Sequence, residues 1–263
     1  MGLFRTPVRD VLASLEQLAA LRSPWRALVL PLLAMVVTWF VYVPIHELLH
    51  VAGCVLTGGE VTRLELSPQY GAAWLAKVFP FIVSGSDYAG RLSGFDTKGS
   101  DLVYLATDFA PFLLTVLIGV PLLRLCTRRC RPLLLGVAVV VGLAPFYNIP
   151  GDYYEMGSIV ATRVVSVLAG QGHPPLFEGI RFDDVYLLLE RLVLRPEELG
   201  LTTGAQLLFG AVLILGSLII NVLLAFLTYY AGAKVADRLV GRPTLRATST
   251  RQGPRGPAGS PAH

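Results

Sequence analysis

Apolar residues run along this chain in long stretches, broken at a few places by clusters of charge. A helix needs about 20 apolar residues to cross the hydrocarbon core of a bilayer. Four stretches are candidates: Ala27 to about Thr57, Leu102 to Leu125, Pro132 to about Ile149, and Ala205 to Ala231. The third is short by itself and continues into "PGDYYEMGSIVATRVVSVLAG", where Asp152, Glu155 and Arg163 argue against a separate crossing. Ahead of the first span, "TPVRDVLASLEQLAALRSP" places Val8, Val11, Leu12, Leu15, Leu18 and Leu21 at helical spacing. That pattern predicts an amphipathic interfacial helix within residues 1–24.

The period changes between the first two spans. Residues 58–101 are rich in Gly, Ser, Thr and β-formers, and "GEVTRLELSPQY" alternates as a strand does before Pro68 ends it. A small interfacial β-hairpin or sheet is expected there. In the extramembrane segment 170–204, "FDDVYLLLERLVLRPEEL" opens on an Asp cap and predicts an amphipathic helix that stops near Pro196. The final span is expected over 205–232. Residues 233–263 end in "GRPTLRATSTRQGPRGPAGSPAH", basic and rich in Pro and Gly, as a disordered tail would be. The fold class is therefore an all-α polytopic membrane protein. It has about four transmembrane helices, a small interfacial β element, amphipathic surface helices, and a membrane-embedded core over 25–169.

Composition supports this reading. Of 263 residues, 54% are hydrophobic and 15% charged, with a mean hydropathy of +0.61, too apolar for an ordinary soluble domain. The lipid bilayer is the first partner these values imply. The net charge is only +4, and the arginines cluster in segments that read as membrane topology, so no nucleic-acid partner is expected. Cys54, Cys126 and Cys130 form no disulfide framework, and a lone CxxxC pair without further Cys or His is a poor metal signal. The first 22 residues carry Arg5, Arg9, Asp10, Glu16 and Arg22 without a long apolar core, so no cleavable signal peptide is expected.

The candidate chemistry sits at the end of the first span, in "VPIHELLHVAGCVLTGGEV". His46 and His50 are two of only four histidines in the chain, and they lie four residues apart with Glu47 between them. On a helix, positions i and i+4 share a face, so both imidazoles can bind one Zn²⁺ while Glu47 stands beside it as a general base. Random placement of these residue types would produce the pattern on the order of 0.002 times in such a chain. Ionisable groups in a spanning segment are also costly and read as functional.

A catalytic zinc site usually takes three protein ligands. His173, in a "GQGHPP" loop, and His263, at the terminus, are poor candidates. The acids of "APFYNIPGDYYEMGS" are better: Asp152 first, Glu155 second. The plain alternative for Asp152 is a helix N-cap. Depth favours Asp152 as a ligand. His46 and His50 follow Ala27 by 19 and 23 residues, and Asp152 follows Pro132 by 20. At 1.5 Å per residue all three stand about 28–35 Å from the starts of spans that enter from one membrane side. Asp108 and Asn148 flank them there. Asn148 either lines the cavity or caps the broken backbone around Pro150.

These residues carry a resemblance. "HELLHVAGCVLTGGEVTRLELSP" resembles the site-2 protease family of intramembrane zinc metalloproteases, and "FYNIPGD" is similar to that family's second signature, an Asn and Pro ahead of a zinc-binding Asp. "DFAPFLLTVL" stands where the family has a Gly-Pro motif. The similarity covers roughly residues 27–160. The chain departs from it in the order Gly151-Asp152 and in Ala110-Pro111. The resemblance implies an integral multi-pass enzyme of a bacterial cell membrane that hydrolyses a peptide bond in or next to a transmembrane segment of a membrane-protein substrate. In it, His46, His50 and Asp152 hold Zn²⁺ and Glu47 is catalytic. Asn148, Asp108 and Glu155 are its supporting or substrate-binding candidates.

The strand at 60–67 would be placed to pair with an unwound substrate, or simply to cover the site. The positive-inside rule puts both termini in the cytoplasm and the site toward the external face, whereas family members commonly hold it nearer the cytoplasm. Crossing by residues 153–169 would invert the C-terminal half. The alternative function is a non-proteolytic membrane scaffold or regulator with the same fold. A transporter is a weaker third reading, resting on Asn221 in the last span. Oligomeric state is left open.

Overall fold

The computed structural model describes residues 2–169, 184–195, 199 and 203–240; the tail beyond 240, His173 and His263 lie outside them. Three helical segments are long and apolar enough to cross a membrane: Pro24–Leu56, Asp101–Cys126 and Gln206–Leu239.

Helix α1 (Arg5–Ala19) leads into α2 (Pro24–Leu56), which begins on proline, a residue preorganised for a first helical turn. At 33 residues, α2 extends about 50 Å. Beyond its end, Gly58 adopts φ 103°, a conformation open to glycine and costly for other residues. Leu28, Leu32, Val36 and Phe40 are exposed along it, as a face meeting lipid tails requires. The stripe predicted on α1 divides in two. Val11 and Leu18 pack inward, Val8, Leu12 and Leu15 face outward, and the polar Thr6, Asp10 and Ser14 are buried against the neighbouring spans.

The β element is a sheet of three strands, β1 (Glu60–Leu66), β2 (Ile82–Ser84) and β3 (Gly90–Asp96), in the order β2-β1-β3. β1 runs parallel to β2 and antiparallel to β3. Helix α3 (Ala72–Val78) links β1 to β2. Val61 and Leu64 are three residues apart and would face opposite ways in a regular strand. Register shifts around Arg63 mark a bulge that turns both toward the core of Val43, Val51, Ala72 and Ile82.

The second rod comprises α4 (Asp101–Phe109), a tight turn at Ala110–Phe112, a wide turn at Thr115–Gly119, and α5 (Val120–Cys126). The third predicted span is interrupted. α6 (Pro132–Gly142) ends before Pro145, the single turn α7 (Ala144–Tyr147) follows, and Pro150 and Gly151 lead into α8 (Asp152–Ala169). Two prolines within six residues leave too few N–H donors for one continuous rod. α6 alone, 11 residues, reaches only about 17 Å.

α8 lies antiparallel to α10 (Gly204–Leu239): the Tyr153 hydroxyl meets Thr228 at 2.8 Å, and Gly157 sits against the backbone of Ser217. Between them in sequence, α9 (Val185–Leu194) has Asp184 as its cap, accepting from the Leu187 N–H at 2.8 Å. The Val185 N–H donates to the Pro150 carbonyl at 2.9 Å and docks α9 at the turn ahead of Asp152. α10 runs to Leu239, beyond the expected end at 232, because its last turns are held. Arg124 of α5 pairs with Asp237 at 2.8 Å and with Asp10 of α1, while Tyr229 donates to Asp10 at 3.2 Å.

Candidate metal centre

His46 and His50 lie on the same face of α2, and the turn before α8 brings Asp152 to them. Asp152 Oδ2 is 3.1 Å from His46 Nε2, Asp152 Oδ1 is 3.7 Å from His50 Nε2, and the two Nε2 atoms are 3.1 Å apart. Among the described residues this is the cluster of three that can hold a metal ion, with one ligand atom from each residue and all within 4.8 Å of one another. Both histidines are buried and Asp152 is half-buried. Glu155 stands one turn later, with Oε2 accepting the Tyr104 hydroxyl at 2.8 Å, and is not in the cluster.

Local sequence explains the orientation of each imidazole. His50 Nδ1 lies 2.9 Å from the Thr107 carbonyl oxygen. A carbonyl only accepts, so Nδ1 carries the hydrogen and Nε2 turns a lone pair toward the centre. That carbonyl is free to accept because the residue four positions on, where a helix would supply its donor, is Pro111. Gly53, one turn beyond His50, lets α2 approach α4; a Cβ there would stand 2.6 Å from the Ala106 carbonyl. His46 Nδ1 lies 3.0 Å from the hydroxyl of Tyr42, four residues earlier on the same face. The ring also stands edge-on to Phe112 at 5.6 Å. Such partners fix ring orientation and ligand basicity.

Glu47 and His50 border an open-sided cavity of about 280 Å³, together with Asp108, Asp152 and Glu155. β3 forms one wall through Gly90–Ser93 and Phe95; α9 contributes Asp184 and Leu187. At Gly90 the strand passes so close to the Glu47 carboxyl that any side chain there would collide with it. The strand on the cavity is thus β3. β1 is the central strand, hydrogen-bonded on both sides at Leu64–Leu66, so its edge is not open to a partner there. Asp108 is buried, borders the cavity, and leaves Oδ2 without a hydrogen-bond partner. Asn148 does not border the cavity; its side-chain N–H donates to the Ala144 carbonyl at 3.1 Å.

Sequence reading missed Thr107, Tyr42, Tyr104 and Gly90. The first two left a trace, a proline four residues after Thr107 and helical spacing between Tyr42 and His46. Gly90 left none, since only the folded register puts it on Glu47. Comparison of the chain with protein-family models, with curated proteins and with solved structures finds no match in any of the three.

Proposed function

We propose that this protein is a membrane-embedded zinc endopeptidase of the site-2 protease type, cleaving a membrane protein in or next to a transmembrane segment. The observation that carries the reading is the convergence of His46, His50 and Asp152 in a buried site that shares its cavity with Glu47. The spacing suits zinc: ligand bonds of about 2.0–2.1 Å in tetrahedral geometry set ligand atoms roughly 3.3–3.4 Å apart, against 3.1, 3.1 and 3.7 Å here. The donor set, two neutral imidazoles and a carboxylate, is also one that a catalytic zinc takes.

Zinc held by these residues would supply Lewis acidity, polarising the scissile carbonyl and making water a better nucleophile at neutral pH. Glu47 would take the proton of that water on its carboxylate and deliver it to the leaving amine. The open side of the cavity admits the water that each turnover consumes. An unwound substrate would lie along β3, the outer strand of the sheet, whose residues already form the wall. Arginines gather at the far end of the bundle, where α1, α5 and α10 meet. With that end in the cytoplasm, the site faces the external side.

The test is Glu47→Gln. It should retain about one equivalent of zinc and lose turnover, and comparison of membrane proteomes from cells with the two forms should show uncleaved substrates accumulating. Full proteolysis by Glu47→Gln, on a substrate identified this way, would refute the mechanism. A purified protein without bound metal would favour the scaffold reading.

A further inference from the structure

The cavity beside the metal-type centre is lined by more carboxyl groups than a peptidase mechanism needs. Five carboxylates border it: Glu47, Asp108, Asp152, Glu155 and Asp184. Four have occupations. Asp152 faces the two histidines, Glu47 is the proton carrier, Glu155 accepts from Tyr104 at 2.8 Å, and Asp184 caps α9 at 2.8 Å. Asp108 has none of these. It is 5% exposed, and its Oδ2 is buried with no hydrogen-bond partner among the described residues. Among the described residues the guanidinium on the cavity wall is that of Arg91, which lies over the Tyr88 ring at 5.9 Å.

A buried carboxylate without a partner is unfavourable unless a cation or a donor reaches it. Among the described residues neither reaches Asp108 Oδ2, and the metal-type cluster does not include Asp108. The cavity offers the remaining route. Beside the polar Arg91, Ser93 and Thr107, its walls include Leu92, Phe95, Tyr104 and Leu187, surfaces against which a methylene stem packs while its charged head goes on to a carboxyl group. β3 runs along the same cavity, and a chain extended beside it would send alternate side chains toward this wall.

The geometry points to a specificity subsite: Asp108, backed by Glu155, receives a Lys or Arg side chain of the substrate near the bond to be cleaved. The nature of the ligand rests on the peptidase reading; the charge preference of the cavity does not. The test uses full-length protein in detergent micelles and fluorescein-labelled peptides that differ at a single position, carrying Lys, Arg, norleucine or Glu. Binding is read by anisotropy on Glu47→Gln protein and cleavage on unaltered protein.

Lys and Arg peptides should bind at least about ten-fold more tightly than the norleucine peptide, as a charge-assisted contact to a buried carboxyl group implies. The Glu peptide should bind weakest. Asp108→Asn should reduce the Lys preference to about three-fold or less while zinc content is unchanged. The peptide series on protein with Asp108 intact decides the matter even where Asp108→Asn does not fold. Equal binding of all four peptides, or no binding of any, overturns the subsite. Preferential binding of Lys peptides without cleavage supports the subsite and counts against the peptidase reading. Cleavage indifferent to the residue supports that reading and overturns the subsite.

Discussion

Two buried polar clusters stand at opposite ends of this helix bundle, and they differ in how their charges close. At one end Arg124, 2% exposed, sits between Asp10 and Asp237, and Tyr229 donates a further hydrogen bond to Asp10. Donors and acceptors there match, and the cluster ties α1, α5 and α10 together. At the other end the Nε2 atoms of His46 and His50 and the carboxylate of Asp152 face one another within 4.8 Å. His50 Nε2 and the Asp152 carboxylate accept there, as His46 Nε2 does when its Nδ1–H donates to Tyr42, and the cluster opens onto a cavity. The first cluster is complete within the chain. The second has the arrangement of a group that could hold a cation from outside.

That contrast can be broken by exchanging the readouts. His46→Ala should remove the metal altogether, from about one equivalent to none by elemental analysis, with the helical circular dichroism retained. Arg124→Leu should do the reverse. It takes the buried cation from between Asp10 and Asp237 and leaves Asp10 to the half-buried Arg9 at 2.7 Å; breaking a buried pair costs up to about 3–5 kcal/mol, so the thermal midpoint in detergent should fall by several degrees with metal content unchanged. Loss of metal in Arg124→Leu at a temperature where the protein stays folded would show that the two ends are coupled.

The same contrast explains what could be read ahead of the fold. His46, Glu47 and His50 were legible because a helix fixes the geometry of four-residue spacing, whatever surrounds it. Asp152 was legible through depth, since rise per residue converts sequence distance from a span's start into height. The Arg124 cluster was not legible: its partners lie 114 and 113 residues away, and nothing local to "LLRLC" chooses between them. The sheet was foreseen as a region, but its strand order came from pairing over long separations. That residues 64–66 of the strand offered for substrate pairing are bonded on both sides was hidden for that reason. The break around Pro150 was read from the sequence, whereas the one at Pro145 was written there too and was overridden by counting apolar residues through it to about Ile149.

A finer comparison lies inside the metal-type centre, between the two imidazoles. His50 is oriented by a backbone carbonyl that a proline has left free, and no side-chain replacement removes that partner. His46 is oriented by the Tyr42 hydroxyl at 3.0 Å, which Tyr42→Phe deletes while keeping the ring. Losing such a partner typically weakens metal affinity about 10–100-fold. Competition with a chelating dye should show that loss in Tyr42→Phe, with little change in thermal midpoint for the metal-free protein. Unchanged affinity would mean that packing against Phe112 alone holds the ring.

The smallest effect separates the site from the turn that delivers Asp152 to it. Asn148 stands four residues ahead of Asp152, yet its side-chain N–H donates to the Ala144 carbonyl at 3.1 Å and the residue does not border the cavity. The same carbonyl already accepts the Asn148 backbone N–H at 3.1 Å, so Asn148→Ala removes a second bond to a group that stays satisfied. No acceptor is orphaned, and the loss should fall at the low end for a hydrogen bond, about 0.5–1 kcal/mol. The turn keeps its other ties: the Gly151 and Tyr153 N–H groups donate to the Asn148 carbonyl, and the Asn221 side chain donates to the Ile149 carbonyl at 3.1 Å. Asn148→Ala should therefore lower the thermal midpoint by a few degrees and leave metal content and specific activity near those of the unaltered protein. A large fall in turnover with the midpoint unchanged would move Asn148 from the scaffold into the site, and would show that the turn shifts toward the cavity when substrate is bound.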